Sequence, residues 1–307
     1  MDRDRQIALQ LGKLARWALV EELVTTPKPG LVDGYSNGAH RDMNFQTFEK
    51  SAEVLEPYFC RMAEAALQGE EPEQVFRKIR NIGIKAEKAM FTATQGANTH
   101  KGLIFSLGIL CSGAAILLKD RSVRLTEEGL FAMEQRMVSA PLRQELERLC
   151  RNGAQKAEKR THGEQVFARY GAKGVRGEAL SGYPSVRTLA LPVMAAGIKE
   201  GRDWNTVKLQ TLCTLMSQVE DSNILSRRDE PTLSRVQDTF QKFLGEGGAY
   251  QKDGEQKLKE LDARFIRENI SPGGSADLLA VTIFVTRLLS EYTVFPLAAA
   301  QGEEKLN

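Results

Sequence analysis

The residues best suited to chemistry are concentrated in five short segments rich in glycine, proline and small polar side chains. All three histidines of the chain, His40, His100 and His162, lie in these segments. Loops that combine turn formers with reactive side chains are frequently binding or catalytic sites. The sequence therefore predicts an active site built from residues 26–43, 96–102, 161–184, 220–229 and 271–277.

The segment TPKPGLVDGYSNGAHRDM opens this series. Asp33, His40 and Asp42 are suited to binding a divalent cation or to transferring a proton, and Asn37 is suited to a ribose hydroxyl or a phosphate. A functional site is the favoured interpretation. The alternative is a connector whose short polar side chains bond its own backbone.

The segment GANTHKG places Asn98, His100 and Lys101 just before a long apolar stretch. Backbone N–H groups at a helix N-terminus favour anions, and Lys101 adds a positive charge, so a phosphate is the predicted ligand. The spacing differs from that of a Walker loop. An ordinary exposed histidine–lysine pair is the alternative.

The segment KGVRGEALSGYP contains Arg176 and Glu178 between glycines that permit close approach of a ligand. Arg176 is suited to a phosphate, and Glu178 to a metal ion or a proton. A simple salt bridge between the two side chains is the alternative.

The segment VEDSNILSR offers Asp221, Asn223 and Arg227, for which a solvated helix terminus is the alternative. SPGGSADLLA joins a Pro-Gly-Gly turn to an apolar helix. In it Asp277 is either a first-turn acid favoured by the helix dipole or a metal ligand. Neither the GxSxG elbow of serine hydrolases nor the HExxH helix of zinc proteases occurs in the chain.

These segments must be positioned by helices, because apolar residues recur at helical spacing through most of the chain. The pattern predicts helices near residues 7–24, 45–67, 75–92, 142–157 and 206–219, and buried core helices over 102–118 and 278–300. Strand patterns are nearly absent. We therefore predict an all-α fold, a single compact multi-helix domain over residues 1–307 with active-site loops at helix termini.

Capping residues mark several of the expected helix starts. Asn44 is predicted to cap the helix that begins near Phe45, and Asn98 or Thr99 the helix entered at Gly102. Ser271 is followed by Pro272, the arrangement of a cap and a first-turn proline. The glycine-rich, charged stretch 245–257 is predicted to be a mobile surface loop.

Composition limits the class of protein. The 42 lysines and arginines nearly balance the 40 aspartates and glutamates, which gives no general drive toward nucleic acid or anionic membranes. The four cysteines have neither zinc-site nor disulfide-framework spacing, and the N-terminus lacks the apolar run of a signal peptide. A cytoplasmic protein with reduced core cysteines is expected.

Residue chemistry thus predicts a helical protein with a metal-dependent site for a phosphorylated ligand. A more specific function is indicated by four motifs, PKPGLVDGYSNGAH, GANTHKG, RGEALSGYP and SPGGSADLLA. With these motifs in this order and spacing, the chain resembles the triphosphoribosyl-dephospho-CoA synthase family from about residue 15 to 295. Several long motifs in one order are more specific than any single motif.

The resemblance implies a reaction between ATP and 3′-dephospho-CoA. The 2′-hydroxyl of dephospho-CoA attacks C1 of the ATP ribose, adenine leaves and the triphosphate is kept. The product is the prosthetic-group precursor of citrate lyase or malonate decarboxylase. It implies a further partner, a phosphoribosyl-dephospho-CoA transferase that acts on an acyl carrier protein.

The resemblance and the chemistry together assign roles to individual residues. The expected catalytic residues are Asp33, His40, Glu178 and Asp221. The expected substrate-binding residues are Lys28, Asn37, Asn98, His100, Lys101, Arg176, Asn223, Arg227, Ser271, Gly273, Gly274 and Ser275. Mg²⁺ prefers oxygen ligands, and its expected ligands are Asp33, Asp42, Glu178, Asp221 and Asp277.

Two positions depart from the family pattern. Arg227-Arg228-Asp229 stands where Arg-Gly-Gly is usual, and Gly34 where a larger residue, often arginine, is usual. Two other functions fit the same residues. One is a magnesium-dependent hydrolase of nucleotides or ADP-ribosyl groups, and the other is a non-catalytic helical scaffold that binds an acyl carrier protein.

Overall fold

The computed structural model describes residues 2–151 and 162–293, with the backbone alone for residues 149–151, 162 and 293. Within these ranges the chain forms thirteen α-helices and no strand, as the periodicity predicts. The helices are α1 (Arg3–Val24), α2 (Phe45–Ala66), α3 (Pro72–Ala93), α4 (Lys101–Lys119), α5 (Glu127–Arg151), α6 (His162–Tyr170), α7 (Gly174–Leu180), α8 (Leu191–Lys199), α9 (Trp204–Met216), α10 (Ser222–Arg227), α11 (Glu230–Gly245), α12 (Gly254–Glu268) and α13 (Gly273–Thr293).

Helix α4 lies at the centre of the fold and packs against α1, α2, α3, α5 and α13. Its glycines permit close contact, because a Cβ at Gly108 would overlap the sulfur of Met62 on α2. In the same way, a Cβ at Gly12 of α1 would overlap the Cys60 sulfur. One continuous hydrophobic cluster, formed by residues from α1 through α13, results from this packing.

Two described helices, Lys101–Lys119 and Gly273–Tyr292, are long and apolar enough to cross a membrane by length and composition. However, 67% and 61% of their most apolar windows are buried inside the fold. That degree of burial is expected of core helices in a soluble fold and agrees with the core-helix prediction. Cys60, Cys111 and Cys213 are buried free thiols.

Helix α2 begins where the sequence predicts. The Asn44 side chain accepts a hydrogen bond from the Thr47 N–H at 3.0 Å, and the Thr47 hydroxyl oxygen accepts one from the Asn44 N–H at 3.2 Å. Such a reciprocal capping box satisfies two N–H groups that the helix itself cannot.

Other boundaries differ from the predictions. Neither Asn98 nor Thr99 caps α4, whose N-cap is His100; Asn98 is exposed and the Thr99 hydroxyl bonds Ser51 instead. The loop predicted at 245–257 is wrong as well. There α11 ends, a short 3₁₀ turn (Gly248–Tyr250) follows, and α12 starts at Gly254, with Gly248 and Gly254 both buried.

Two predicted helices are only partly described. The helix predicted at 142–157 is the end of α5, which starts earlier, at Glu127, and continues through Pro141. Residues 152–157 lie outside the described ranges, as do residues 294–300 of the helix predicted at 278–300 and Thr161 of the segment 161–184. The His162 side chain is also outside them.

Candidate functional site

The N-termini of α4, α10 and α13 meet beside the segment that joins α1 to α2. Asp221, before α10, bonds the first turn of α13, and Asp277 of α13 lies against Gly102 at the start of α4. His40 of the connecting segment contacts Ser271 and Arg227. Four of the five predicted segments are thereby brought together at one end of the core helices.

Asp221 caps two helices at once. Its carboxylate accepts hydrogen bonds from the N–H groups of Asn223 and Ile224 in α10, at 3.0 and 3.3 Å. It also accepts from the N–H groups of Gly274 and Ser275 in α13, at 3.3 and 2.8 Å, and from the Ser275 hydroxyl at 3.0 Å. The residue is 1% exposed, and burial raises its pKa despite these bonds. Asp221 therefore holds the two helix starts in register.

Asp277 differs from Asp221 in having no hydrogen bond to its carboxylate among the described residues. A Cβ at Gly102 would overlap its carboxylate oxygen, so a glycine is required where α4 begins. Burial and the nearby charges of Glu22 and Asp221 raise the pKa of Asp277 well above its usual range. A positive charge bound beside Asp277 would therefore stabilise the ionised form of its carboxyl group.

Asp33 organises the backbone of its own segment. One oxygen accepts from the Lys28 N–H at 2.6 Å, and the other accepts from the N–H groups of Tyr35 and Ser36 at 2.7 and 2.8 Å. These contacts support the alternative in which the segment is a connector whose polar side chains bond its own backbone. Both oxygens are occupied by the protein, although the residue lies beside the site.

The Lys28 side chain is completely buried, and its ammonium donates to the Glu22 carbonyl oxygen at 2.7 Å and forms an ion pair with the Glu22 carboxylate. A second pair lies next to it on the same helix end, where Lys208 contacts Glu21 at 2.7 Å. Lys28, predicted to bind substrate, is therefore already paired with an acid.

His40 is fixed between two helices. Arg227 donates to Nδ1 at 3.0 Å and to the Ala39 carbonyl oxygen at 2.9 Å, so Nδ1 is the unprotonated nitrogen and Nε2–H donates to Ser271 Oγ at 2.9 Å. Burial and the Arg227 charge lower the pKa of His40 to about 4. Asp42, 3.8 Å from Nδ1, is 65% exposed and lies outside the enclosed site.

His100 is 1% exposed at the start of α4. Its Nδ1 lies 2.7 Å from the hydroxyl of Ser51, which also contacts the Thr99 hydroxyl at 2.7 Å. Its Nε2 is buried and has no hydrogen-bond partner in the part of the chain that the structure describes. Burial lowers the pKa of His100 to about 3, with the Lys28 charge as the second cause. A neutral histidine is therefore placed among the site residues.

Glu178 and Arg176 lie on α7 and do not pair with each other. Glu178 accepts from the Ser185 hydroxyl at 2.6 Å, and burial raises its pKa. Arg176 approaches Glu164 at 3.8 Å. The salt bridge that was the alternative interpretation does not form between these two described residues.

The remaining predicted residues lie toward the edge of the site. Lys101 is exposed and pairs with Glu87 at 3.0 Å, while Asn37 and Asn98 are exposed. Asn223 fits against Gly273, where a Cβ would press on its amide. Among the described residues, no three Asp, Glu, His or Cys side chains surround a common metal position.

Sequence reasoning missed several residues of this region, Glu22, Ser51, Ser106 and Glu134 on helices with apolar patterning and Tyr183 in the turn after α7. Glu134 and Tyr183 are completely buried, and neither side chain has a protein hydrogen-bond partner among the described residues. Glu22 and Glu134 could have been found in the sequence, because each is a charged residue at a core position of a helical apolar pattern. Tyr183 stood inside a quoted motif without an assigned role.

The two departures from the family pattern lie at the surface. Arg228 and Asp229 are exposed, and Asp229 caps α11 by accepting from the Thr232 N–H at 2.9 Å. A Cβ at Gly34 would meet no atom within 4 Å. Arg227, which the pattern retains, is the residue of this group that contacts His40.

The neutral histidines predict a pH dependence of stability. Since His40 and His100 have pKa values of about 4 and about 3 in the fold, the unfolded chain binds more protons than the folded chain below about pH 6.5. Each histidine therefore contributes stability that is present above pH 6.5 and is lost as pH falls toward its folded pKa. By urea denaturation, the stability advantage of wild type over His100→Gln should shrink by about 2 kcal/mol from pH 7 to pH 5. An advantage that does not change with pH would contradict this expectation.

Comparison with known proteins bears on what this site does. Residues 8–294 match the family model of the ATP:dephospho-CoA triphosphoribosyl transferases. A relative from Vibrio cholerae serotype O1, a probable 2-(5''-triphosphoribosyl)-3'-dephosphocoenzyme-A synthase, is 39% identical over 286 residues, 92% of this chain and 90% of the relative. The synthases of that name from Pectobacterium atrosepticum and Klebsiella pneumoniae are 40% and 39% identical, covering 91% of this chain and 89% and 91% of their own lengths.

No solved structure matches the chain. The family match covers nearly all described helices, including every segment of the site, and the relatives are similar over the same length. The chain therefore belongs to the ATP:dephospho-CoA triphosphoribosyl transferase family and is a transferase.

Proposed function

We propose that this protein transfers the 5-triphosphoribosyl group of ATP to the 2′-hydroxyl of 3′-dephospho-CoA. The bond between ribose C1 and adenine breaks, and its electron pair leaves with the base. A new bond forms between C1 and the 2′-oxygen, whose proton is released. The products are adenine and 2′-(5″-triphosphoribosyl)-3′-dephospho-CoA.

The observation that carries the proposal is the position of Asp277. Its carboxyl group is partly buried, lacks a hydrogen-bond partner among the described residues and lies where two helices begin. Displacement at ribose C1 develops oxocarbenium character, which a nearby carboxylate stabilises. A positive charge in the site would also favour the ionised form of Asp277, whose pKa is otherwise raised.

Groups suited to the triphosphate lie near this carboxyl. The N-terminus of α4 supplies free N–H groups, and α4 and α13 both begin here with the positive ends of their helix dipoles. Arg227 supplies a guanidinium, and His40 and His100 supply neutral imidazoles. Arg176 and Lys101 lie at the edge, where they can meet phosphates that extend from the site.

Magnesium fits this arrangement as an ion that arrives with ATP. Mg²⁺ usually keeps several waters and is bound by one or two carboxylates together with substrate phosphates. Asp277 and Glu178 are the acids we propose for this contact, since Asp33 accepts three hydrogen bonds and Asp221 five, whereas Glu178 accepts two, both from Ser185. The ion would neutralise triphosphate charge.

The product contains an intact triphosphate and a CoA-like arm. We propose that a phosphoribosyl-dephospho-CoA transferase uses it to modify the acyl carrier protein of citrate lyase or malonate decarboxylase. Nothing in the site distinguishes these two destinations, because both would receive the same molecule.

The proposed reaction is tested by incubating the purified protein with ATP, Mg²⁺ and 3′-dephospho-CoA. Mass spectrometry should detect free adenine and a conjugate heavier than dephospho-CoA, and chelation of Mg²⁺ should abolish both. Free ribose triphosphate without a conjugate would identify a hydrolase instead. No release of adenine would favour a binding scaffold.

Asp277→Asn should lose at least about a hundredfold in turnover, the scale of one electrostatic contact to a transition state. Its helical circular dichroism should be retained, since the carboxyl makes no protein hydrogen bond among the described residues. The matched control is Asp238→Asn on the exposed face of α11, which should be as active as wild type. Normal turnover in Asp277→Asn would remove Asp277 from the site.

A further inference from the structure

Glu134 of α5 and Tyr183, which follows α7, form a pair of buried polar groups outside the predicted site. Both residues are 0% exposed, and among the described residues neither the two Glu134 carboxyl oxygens nor the Tyr183 hydroxyl has a hydrogen-bond partner within normal bonding geometry. Leaving a polar group buried and unpaired costs free energy that an apolar side chain of similar shape would not. Retention of both groups therefore points to a ligand that completes their hydrogen bonds.

The surroundings of Tyr183 connect the pair to the proposed site. The residue has a φ of 53°, an unusual conformation for a side chain of this size. Its ring packs on Phe131 with centroids 6.1 Å apart. Burial raises the pKa of Tyr183 well above its usual range, the carboxyl groups of Glu134, Glu178 and Asp277 add to this, and the nearby Ser106 hydroxyl opposes it. The hydroxyl thus lies near Glu178 and Asp277, the acids that we propose for the reacting end of ATP.

The charge state of Glu134 indicates which kind of ligand the pair can bind. Burial alone raises the pKa of Glu134 to about 9, with no basic side chain of the described chain close enough to oppose it. At neutral pH Glu134 is therefore an uncharged carboxylic acid, with one donor and one acceptor. A phosphate bound here would lie beside acidic side chains, and no basic side chain would balance its charge. An uncharged heterocycle with adjacent donor and acceptor atoms can instead pair with the donor and the acceptor of the Glu134 carboxylic acid.

We propose that Glu134 and Tyr183 bind the adenine base of ATP. The carboxylic acid of Glu134 donates to a ring nitrogen and accepts from the exocyclic amino group, and the Tyr183 hydroxyl supplies a further hydrogen bond. This inference rests on the proposed function, because it places adenine beside Asp277 and the triphosphate at the helix N-termini. It makes Glu134 and Tyr183 determinants of base specificity.

Access requires movement of one short element. Both groups are enclosed, and α7 is the shortest helix that borders them. Gly174 at its start and Gly182 just beyond its end have φ values of 52° and 72°. Glycines tolerate such conformations without strain and suit a hinge. Displacement of α7 would open the pair to a base.

The test compares Glu134→Met, Glu134→Gln and Tyr183→Phe with wild type. Calorimetry should show that Glu134→Met weakens ATP binding at least tenfold and leaves inorganic tripolyphosphate binding unchanged. Glu134→Gln should stay within about threefold of wild type for ATP, since an amide keeps a donor and an acceptor. Wild type should prefer ATP to purine riboside triphosphate, which lacks the amino group, and Glu134→Met should lose that preference.

A matched control is Tyr250→Phe, which removes another buried hydroxyl without a hydrogen-bond partner among the described residues, beside Gly197 and away from Glu134, Glu178 and Asp277. It should leave ATP binding unchanged. Glu134→Met should also unfold at a higher temperature than wild type, because an apolar side chain replaces an unpaired acid. Wild-type ATP affinity in a folded Glu134→Met would overturn the inference and leave a buried acid without a ligand role.

The failure of this inference is distinguishable from failure of the proposed function. Adenine release by wild type tests the reaction, whereas the ATP and tripolyphosphate affinities of the variants test the base contact. A wild type that binds ATP through Glu134 but forms no conjugate would refute the transfer reaction alone.

Discussion

Replacement of Lys28 by methionine is expected to lower the free energy of unfolding by about 3–5 kcal/mol. The Lys28 ammonium has no exposure to solvent and donates to both the carbonyl and the carboxylate of Glu22, which is 3% exposed. Removing the ammonium leaves the Glu22 carboxylate buried near a second acid, Asp277, whose pKa it already raises. Urea denaturation at pH 7 measures the loss.

Two comparisons separate the buried pair from an ordinary ion pair. The double variant Lys28→Met/Glu22→Leu should recover most of the loss, because replacing both partners leaves no unpaired charge. Lys78→Met removes an exposed pair with Glu70 and should cost less than about 1 kcal/mol. A loss for Lys28→Met no larger than for Lys78→Met would contradict the expected cost of an unpaired buried acid.

The same variants address the predicted role of Lys28 as a substrate ligand. Lys28 was expected to bind substrate, but in the structure its ammonium is paired with Glu22. If the double variant folds and still binds ATP, Lys28 acts on the site through the fold alone. Only a residual binding defect would show direct contact with phosphate.

Local patterns were sufficient to predict most of the helices and four of the five segments that the fold brings together. Apolar periodicity predicted α2, α3 and α9 to within a few residues, and the Asn44 cap was readable because it depends on residues three apart. The stretch 245–257 was misread because Gly248 and Gly254 look like loop residues. Their burial depends on distant contacts, with Gln210 for Gly248.

Roles within the site were less predictable, because they depend on which side chains face each other. Asp33 and Asp221 were both read as acids available for catalysis or metal, yet one holds its own loop and the other links two helices. Glu134 lies on a regular amphipathic helix, and nothing in local spacing shows that it faces Tyr183. Whether a side chain is buried, and which residue it contacts, depends on the tertiary structure.

Replacement of Asp221 by asparagine is expected to destabilise the fold by about 3 kcal/mol and to abolish transfer. The carboxylate accepts five hydrogen bonds, from two N–H groups of α10, two of α13 and the Ser275 hydroxyl. Bonds to a charged acceptor contribute about 1.5–3 kcal/mol each, and an amide would turn its own N–H₂ toward some of these donors. Chemical denaturation and the adenine-release assay measure the two effects.

The matched control is Asp203→Asn, which changes the cap of a single helix. Asp203 accepts from the Thr206 N–H at 3.0 Å at the exposed start of α9, where asparagine is an equally good cap. It should change stability by less than about 0.5 kcal/mol and leave transfer intact. If Asp221→Asn were equally mild, the starts of α10 and α13 would be held by their core packing. Loss of transfer beyond the loss of folded protein would instead show that Asp221 sets the position of Asp277, one turn further along α13.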